Sequence, residues 1–238
     1  MKKVLVILLL ATLGYYVAGT YFDIGFGQPH FIKGLLPVKD IYLAQTVKSL
    51  KVSNAVTSIV VNFRGFDTLG EVTVLFLAVT ALGSILYKKM NVLGERSVLF
   101  SSSSIVTSGS KLLFPAIILL GFYVFIHGHL SPGGGFQGGV IIASGFLLML
   151  LAYENYSVSH TALSVVESLA GITFAGVGLL GFMHGGTFLQ NFLPTGVLNH
   201  LFSGGIIPII YIAVGFKVGA ELTGVIYTVL HEKGESNG

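Results

Sequence analysis
The stretch HGHLSPGGGFQGG, His127–Gly139, lies at the meeting of two strongly apolar runs, Leu112–His127 and Phe136–Tyr153. Its Gly133, Gly135 and Gly138 satisfy the G-x-G-x-x-G spacing of a dinucleotide-binding turn. That motif works only between the strand and helix of a βαβ unit, with an acid about 20 residues further on. Here a segment apolar enough to be a spanning helix precedes it, and no G-K-[ST] follows to make a P-loop. The stretch therefore reads as a tight joint between two membrane spans. Pro132 redirects the chain, the glycines permit positive φ, and Gly138-Gly139 let another backbone approach the next helix. If the joint re-enters protein at the membrane edge, its bare amides line a polar cavity beside His127 and His129.

Composition points to the same solvent. The chain has 238 residues, 53% hydrophobic and 10% charged, with a mean hydropathy of +0.85; soluble domains carry about 25% charged residues. A soluble core of this size would leave large apolar patches exposed, so lipid is the solvent the sequence suits. A formal charge of +3 without a basic–aromatic cluster gives no nucleic-acid surface. Zero cysteines exclude disulfides, iron–sulfur clusters and thiolate zinc sites. Met1–Thr20, MKKVLVILLLATLGYYVAGT, imitates a secretory signal. Its apolar stretch Val4–Phe22 is nevertheless long enough to cross about 30 Å of hydrocarbon, and we read it as a retained first helix.

Six runs suit spans: Val4–Phe22, Thr68–Tyr87, Leu112–His127, Phe136–Tyr153, Leu163–Phe182 and Ile206–Leu230. The expected fold is an all-α integral membrane protein with about six transmembrane helices. Within the long connector Asp23–Asp67, Leu43, Val47, Leu50 and Val56 recur near helical spacing over Asp40–Phe63, with Lys48 and Lys51 on another face. That pattern predicts a helix lying at the membrane interface. The Asn91–Lys111 loop, with its serine run Ser101–Ser104, divides a first unit (1–90, two spans and the interfacial helix) from a second (112–238, four spans). With an even number of spans, Lys2, Lys3, Lys88, Lys89, Arg96, Lys111 and Lys233 share one side with both termini. The opposing Lys33, Lys39, Lys48, Lys51 and Arg64 all lie in the long connector, which counts less, so the termini are expected in the cytoplasm.

An ionisable group at the centre of a span costs about 2.5–3.5 kcal/mol on insertion scales, which makes each one a functional candidate. In NFRGFDTLGE, Asn62–Glu71, a continuous helix would put Arg64, Asp67, Thr68 and Glu71 on one face, with Glu71 one turn deeper than an Arg64/Asp67 pair. That carboxylate either exchanges a proton or Na⁺, or merely complements the dipole of a helix that Asp67 caps. Glu167 stands near the start of the fifth span beside a small-residue face of Gly171, Ala175 and Gly178, which suggests close packing around it, or it snorkels to the interface. Lys217 and Glu221 share a face near the midplane of the last span, as a proton-relay pair or as a structural neutralisation. His127 and His129 stand at i, i+2 with no third ligand evident, and His184 is a further candidate. All three read as proton-entry or hydrogen-bonding groups, with no resident metal or cofactor expected.

GHLSPGGGFQGG followed by an apolar helix resembles the signature of the small B subunit of Mrp-type multisubunit Na⁺/H⁺ antiporters. Asn54–Glu71, NAVTSIVVNFRGFDTLGE, resembles the C-terminal part of the large A-type Mrp component, which is also a separate small component of archaeal membrane-bound hydrogenases and their sulfur-reducing relatives. Together these resemblances cover roughly residues 51–230. They imply a cation-translocating membrane subunit of an Mrp-like module, coupled to a hydrogenase-type or sulfane-sulfur-reductase-type complex. Na⁺ and H⁺ are the implied cargo, and Glu71 matches the family's membrane-embedded acid. Implied partners are other small Mrp-like subunits, antiporter-like subunits and a peripheral redox arm, in the cytoplasmic membrane. The antiporter-like domain that precedes this segment in the large A-type component is absent here. The alternative is a non-conducting scaffold that joins and seals its neighbours. No redox ligand set, nucleotide site or nucleophile constellation marks this chain as a catalyst.

Overall fold
A computed structural model describes residues 2–23, 38–93, 102–153 and 156–231. Residues 24–37 of the first connector and 94–101 of the expected linker lie outside the described residues, as do Lys33, Arg96 and Lys233 of the charge count. The described chain is helical and contains no strand: α1 (Lys2–Asp23), α2 (Val38–Lys48), α3 (Ala55–Thr57), a π-helical turn (Ser58–Phe63), α4 (Gly65–Leu93), α5 (Ser104–Ile126), α6 (Gly135–Ala152), α7 (His160–Gly185) and α8 (Ile207–His231). Residues 1–43 and 44–238 form two compact units. The first holds α1, whose apolar stretch Val6–Thr20 is shorter than a full span and whose described side chains are almost all exposed.

In the second unit α4 to α8 are long and apolar enough to cross a membrane. Helix α8 is the hub, packed against α4, α5, α6 and α7, and just over half of its apolar window is buried. The α6–α8 and α5–α6 seams rest on the glycines that open α6. A Cβ on Gly138 would stand 2.7 Å from the Gly121 carbonyl oxygen of α5, and one on Gly139 2.8 Å from the Gly215 carbonyl oxygen of α8. In lipid, where apolar burial does not drive helices together, such close backbone approach supplies the packing. Val52, Val61, Ile206, Ile207 and Ile210 are fully buried where the π-turn meets the start of α8, and Val218 is fully buried further along α8 beside Gly139.

Two boundaries differ from the sequence reading. The third expected span starts at Ser104 rather than Leu112, so it is 23 residues long and no longer near the short limit. Ser103 caps it, accepting from the Val106 amide, while Thr107 and Ser110 donate their hydroxyls to carbonyls of the preceding turn. Hydroxyls satisfied in this way let a polar stretch continue a helix. The expected interfacial helix Asp40–Phe63 is broken. Helix α2 stops at Lys48, Lys51 takes a left-handed φ of 56°, and Asn54 caps a new start by accepting from the Val56 and Thr57 amides.

Candidate functional site
Lys217 lies near the middle of α8, and its ammonium joins two carboxylates. Its Nζ is 2.7 Å from Glu221 Oε1, one turn along the same helix, and 3.5 Å from Glu167 Oε1 on α7. It also lies 5.2 Å from the ring centroid of Phe76 on α4, a cation–π distance. The Glu221 side chain is fully buried, that of Lys217 is 13% exposed and that of Glu167 26%. Lys217 is the one partner described for Glu221, whose Oε2 receives no hydrogen bond from the described residues. The formal charges of two carboxylates and one ammonium sum to a single negative charge inside spanning helices, where a net charge is costly to solvate.

A cleft of about 220 Å³ opens beside these charges between α4, α7 and α8. Its polar lining is His160, Ser164 and Glu167 of α7 with Glu221 and Thr228 of α8. The spacings His160–Ser164–Glu167 and Glu221–Thr228 each put their members on one helix face. Ser164, His160 and Thr228 gave no signal in sequence, because a hydroxyl or imidazole at a helix end is common. The Glu167–Lys217 pairing crosses 50 positions between two helices, which single-sequence spacing does not encode.

The other candidates lie elsewhere. Arg64 and Asp67 pair at 2.7 Å on the surface, 62% and 47% exposed. Arg64 is outside the helix: it ends the π-turn with φ −129° and ψ 42°, so the expected four-residue face begins at Asp67 in the first turn of α4. Thr68 turns inward and donates to the Val60 carbonyl at 2.7 Å. Glu71 follows one turn later, exposed on the described surface of a spanning helix. The small-residue face of α7 does not close around Glu167. Gly171 has open space where a Cβ would stand, and the space beside Gly178 is taken by the Phe188 ring.

The three histidines form no common hydrogen-bonded site among the described residues. His127 stacks on Tyr123, with ring centroids 4.4 Å apart, and its Nδ1 lies 3.2 Å from the Tyr123 carbonyl. His184 is exposed, stacked on Phe192 with its Nδ1 3.0 Å from the Leu180 carbonyl. His129 is fully buried in the joint. The backbones of His200, Leu201 and Ile126 flank its ring, but neither ring nitrogen reaches hydrogen-bond geometry with a described group, and desolvation pushes its pKa below the ordinary value. Around it the joint is clamped. The Gly128 carbonyl accepts from Thr57 Oγ1 at 2.6 Å and from Asn54 Nδ2 at 2.9 Å, and Asn54 Nδ2 also reaches the Ser131 carbonyl at 3.0 Å. The amides of Ser53 and Asn54 donate to the His129 carbonyl at 3.2 Å each, and the Tyr211 hydroxyl donates to Thr57 Oγ1 at 3.0 Å. Among the described residues no group of three or more His, Cys, Asp or Glu is placed to hold a metal ion.

Five spanning-length helices, with an ion-pair cluster between α4, α7 and α8, define a multi-pass membrane protein. Residues 105–224 match the family described as a domain related to the MnhB subunit of Na⁺/H⁺ antiporters, and the chain belongs to that family. Residues 35–99 match the MbhE family, a component of MBH. An uncharacterised protein of Methanocaldococcus jannaschii is 31% identical over 220 residues, covering 82% of each chain. The B-type component of the Na⁺/H⁺ antiporter of Bacillus subtilis is 43% identical over 79 residues, 32% of this chain and 50% of that one. A putative antiporter subunit of Staphylococcus aureus is 33% identical over 129 residues, 51% of this chain and 86% of that one. Among solved structures, a chain of the membrane-bound sulfane sulfur reductase (MBS), an archaeal respiratory membrane complex, is 44% identical with TM-score 0.77, covering 98% of this chain and 99% of that one. A chain of the Mrp complex from Dietzia sp. DQ12-45-1b shares the fold, with TM-score 0.71 at 23% identity, over all of this chain and 27% of that one. The neighbours are multisubunit membrane assemblies, and this chain is a subunit of a membrane complex.

Proposed function
We propose that this chain carries cations across the cytoplasmic membrane, exchanging Na⁺ for H⁺ within an antiporter-like module coupled to a redox complex of the sulfane-sulfur-reductase or hydrogenase type. The observation that carries the reading is the Glu167–Lys217–Glu221 cluster. A purely structural bundle gains nothing from an uncompensated negative charge between its spans, whereas a cation pathway requires one. Exposed Glu71 belongs to the same reading, because a carboxylate on a spanning helix needs a polar neighbour, which another small subunit of the module supplies. Partners of that kind, with antiporter-like subunits and a peripheral redox arm, belong to the same proposal, which is supported by the 44% identity to a chain of an archaeal respiratory membrane complex. We place the junction of two once-separate modules between residues 91 and 111, supported by family matches that end at 99 and begin at 105.

The test is pH-gradient-driven ²²Na⁺ uptake by the complete complex reconstituted in proteoliposomes. Glu221→Gln and Lys217→Met are expected to lower uptake at least about tenfold with assembly unchanged, since the first leaves Lys217 with only its longer contact to Glu167 and the second leaves two carboxylates without their cation. Undiminished uptake per assembled complex would establish the sealing-scaffold reading in its place. For orientation, the chain has no native cysteine. Single cysteines at Lys3 and Lys89 are expected to react with impermeant maleimide only from the cytoplasmic side.

A further inference from the structure
The cleft between α4, α7 and α8 has three properties of a binding site, and no resemblance assigns them. It is far larger than the ~10–15 Å³ that one water needs, at about 220 Å³. Its polar lining offers oxygens from Ser164, Glu167, Glu221 and Thr228. One of these, Glu221 Oε2, is buried and without a partner among the described residues. Oxygen donors without sulfur are the ligand set of a hard cation. His160, the first residue of α7, stands at one end of the cleft, packed edge-on against Tyr227 at 5.0 Å, and Glu167 lies two turns deeper, roughly 10 Å along the axis. Helix α4 contributes no charged or hydroxyl group to the lining, so His160, Glu167, Glu221 and the adjacent Lys217 are the titratable groups that face the space.

We propose that this cleft binds one partly hydrated Na⁺-sized cation on Glu167, with Ser164 and the free oxygen of Glu221 as further ligands and Thr228, two turns along α8 from Glu221, reached through the ion's retained water, and that Lys217 is the built-in competitor for the site. The distances divide the work. Lys217 is held at 2.7 Å by Glu221 but reaches Glu167 at 3.5 Å, so Glu167 is the carboxylate an incoming cation takes over while Lys217 stays with Glu221. One monovalent cation brings the formal charge of the cluster to neutrality. The proposal rests on the ion-translocation reading given above, and it names the site at which exchange takes place.

The experiment measures ²²Na⁺ uptake against Na⁺ concentration in the reconstituted complete complex. Ser164→Ala and Thr228→Val are each expected to raise half-saturating Na⁺ about three- to tenfold with maximal rate largely retained, the effect of removing one ligand. Lys217→Met is expected to lower half-saturating Na⁺ while slowing turnover. Gly83 lines the cleft, and a Cβ there meets no heavy atom within 4 Å. Gly83→Leu is thus expected to fill the space without touching a charge and to abolish uptake in a correctly assembled complex. Unchanged half-saturation in Ser164→Ala and Thr228→Val together with normal transport by Gly83→Leu overturns this site. If Glu167→Gln then abolishes uptake, translocation through the cluster survives that failure; if Glu167→Gln is also silent, the broader reading falls with it.

Discussion

At the scale of the residue, His129 is the side chain for which sequence and fold differ most. In sequence it is one of two joint histidines facing an ion path. In the fold it is sealed, with two ring nitrogens lacking good partners. Burial lowers its pKa from the ordinary 6.5, so the unfolded chain takes the proton at a pH where the folded ring still refuses it. Protonation then favours unfolding. The stability that depends on neutral His129 is intact above 6.5, is lost as pH falls through that value, and stops falling once the folded ring itself is protonated. Thermal unfolding of the detergent-solubilised complex between pH 8 and pH 5 is expected to show that loss, and His129→Leu to flatten it. Lys217 and Glu221 show the opposite case. Their pairing is legible in sequence because i, i+4 on a helix is a geometric certainty, while the approach of Glu167 depends on how α7 packs on α8, which no local pattern states.

At the scale of the element, the joint His127–Gly139 reads in sequence as a turn between spans and is one in the fold, and its glycines show why it tolerates little change. Gly133 adopts φ +154°, and a Cβ there would stand 2.9 Å from the Val124 carbonyl oxygen. Gly138 and Gly139 face backbone oxygens on opposite sides of α6. Gly138→Ala and Gly139→Ala are each expected to cost roughly 1–3 kcal/mol, the range for overpacking a seam that cannot yield, read as a lower unfolding midpoint of the assembled complex. Asn54 belongs to the same joint although it is more than 70 positions away. Asn54→Ala removes two donations to the joint and one helix cap, an expected loss of about 2–4 kcal/mol. The broken interfacial helix has the same cause: its apolar period is real, but the chain gains more by turning at Lys51 and offering Asn54 to the joint than by continuing helical hydrogen bonds. A periodicity argument sees the helix and cannot see the partner.

At the scale of the whole molecule, the two family segments meet through that clamp and through the Tyr211–Thr57 hydrogen bond, and their attachment rests on more than the covalent connection. Ser53, Asn54 and Thr57 belong to the segment matched by the MbhE family, while Gly128, His129, Ser131 and Tyr211 belong to the MnhB-related domain. Tyr211 and the buried residues Val52, Val61 and Ile210 extend the contact into an apolar core. Several buried hydrogen bonds at about 0.5–1.5 kcal/mol each, added to the close packing of that core, are enough to hold two chains together in a membrane, where diffusion is confined to two dimensions. A protease site inserted between residues 94 and 101 and cut after assembly is therefore expected to leave both fragments co-purifying in the complex, with Na⁺ uptake retained. Cutting the Asn54→Ala, Thr57→Val double variant is expected to release the fragments, because it loses every side-chain donor to the Gly128 carbonyl while the backbone donations to His129 remain. Dissociation of the cut wild-type chain would instead mean that the linker, not the clamp, holds the two modules in register.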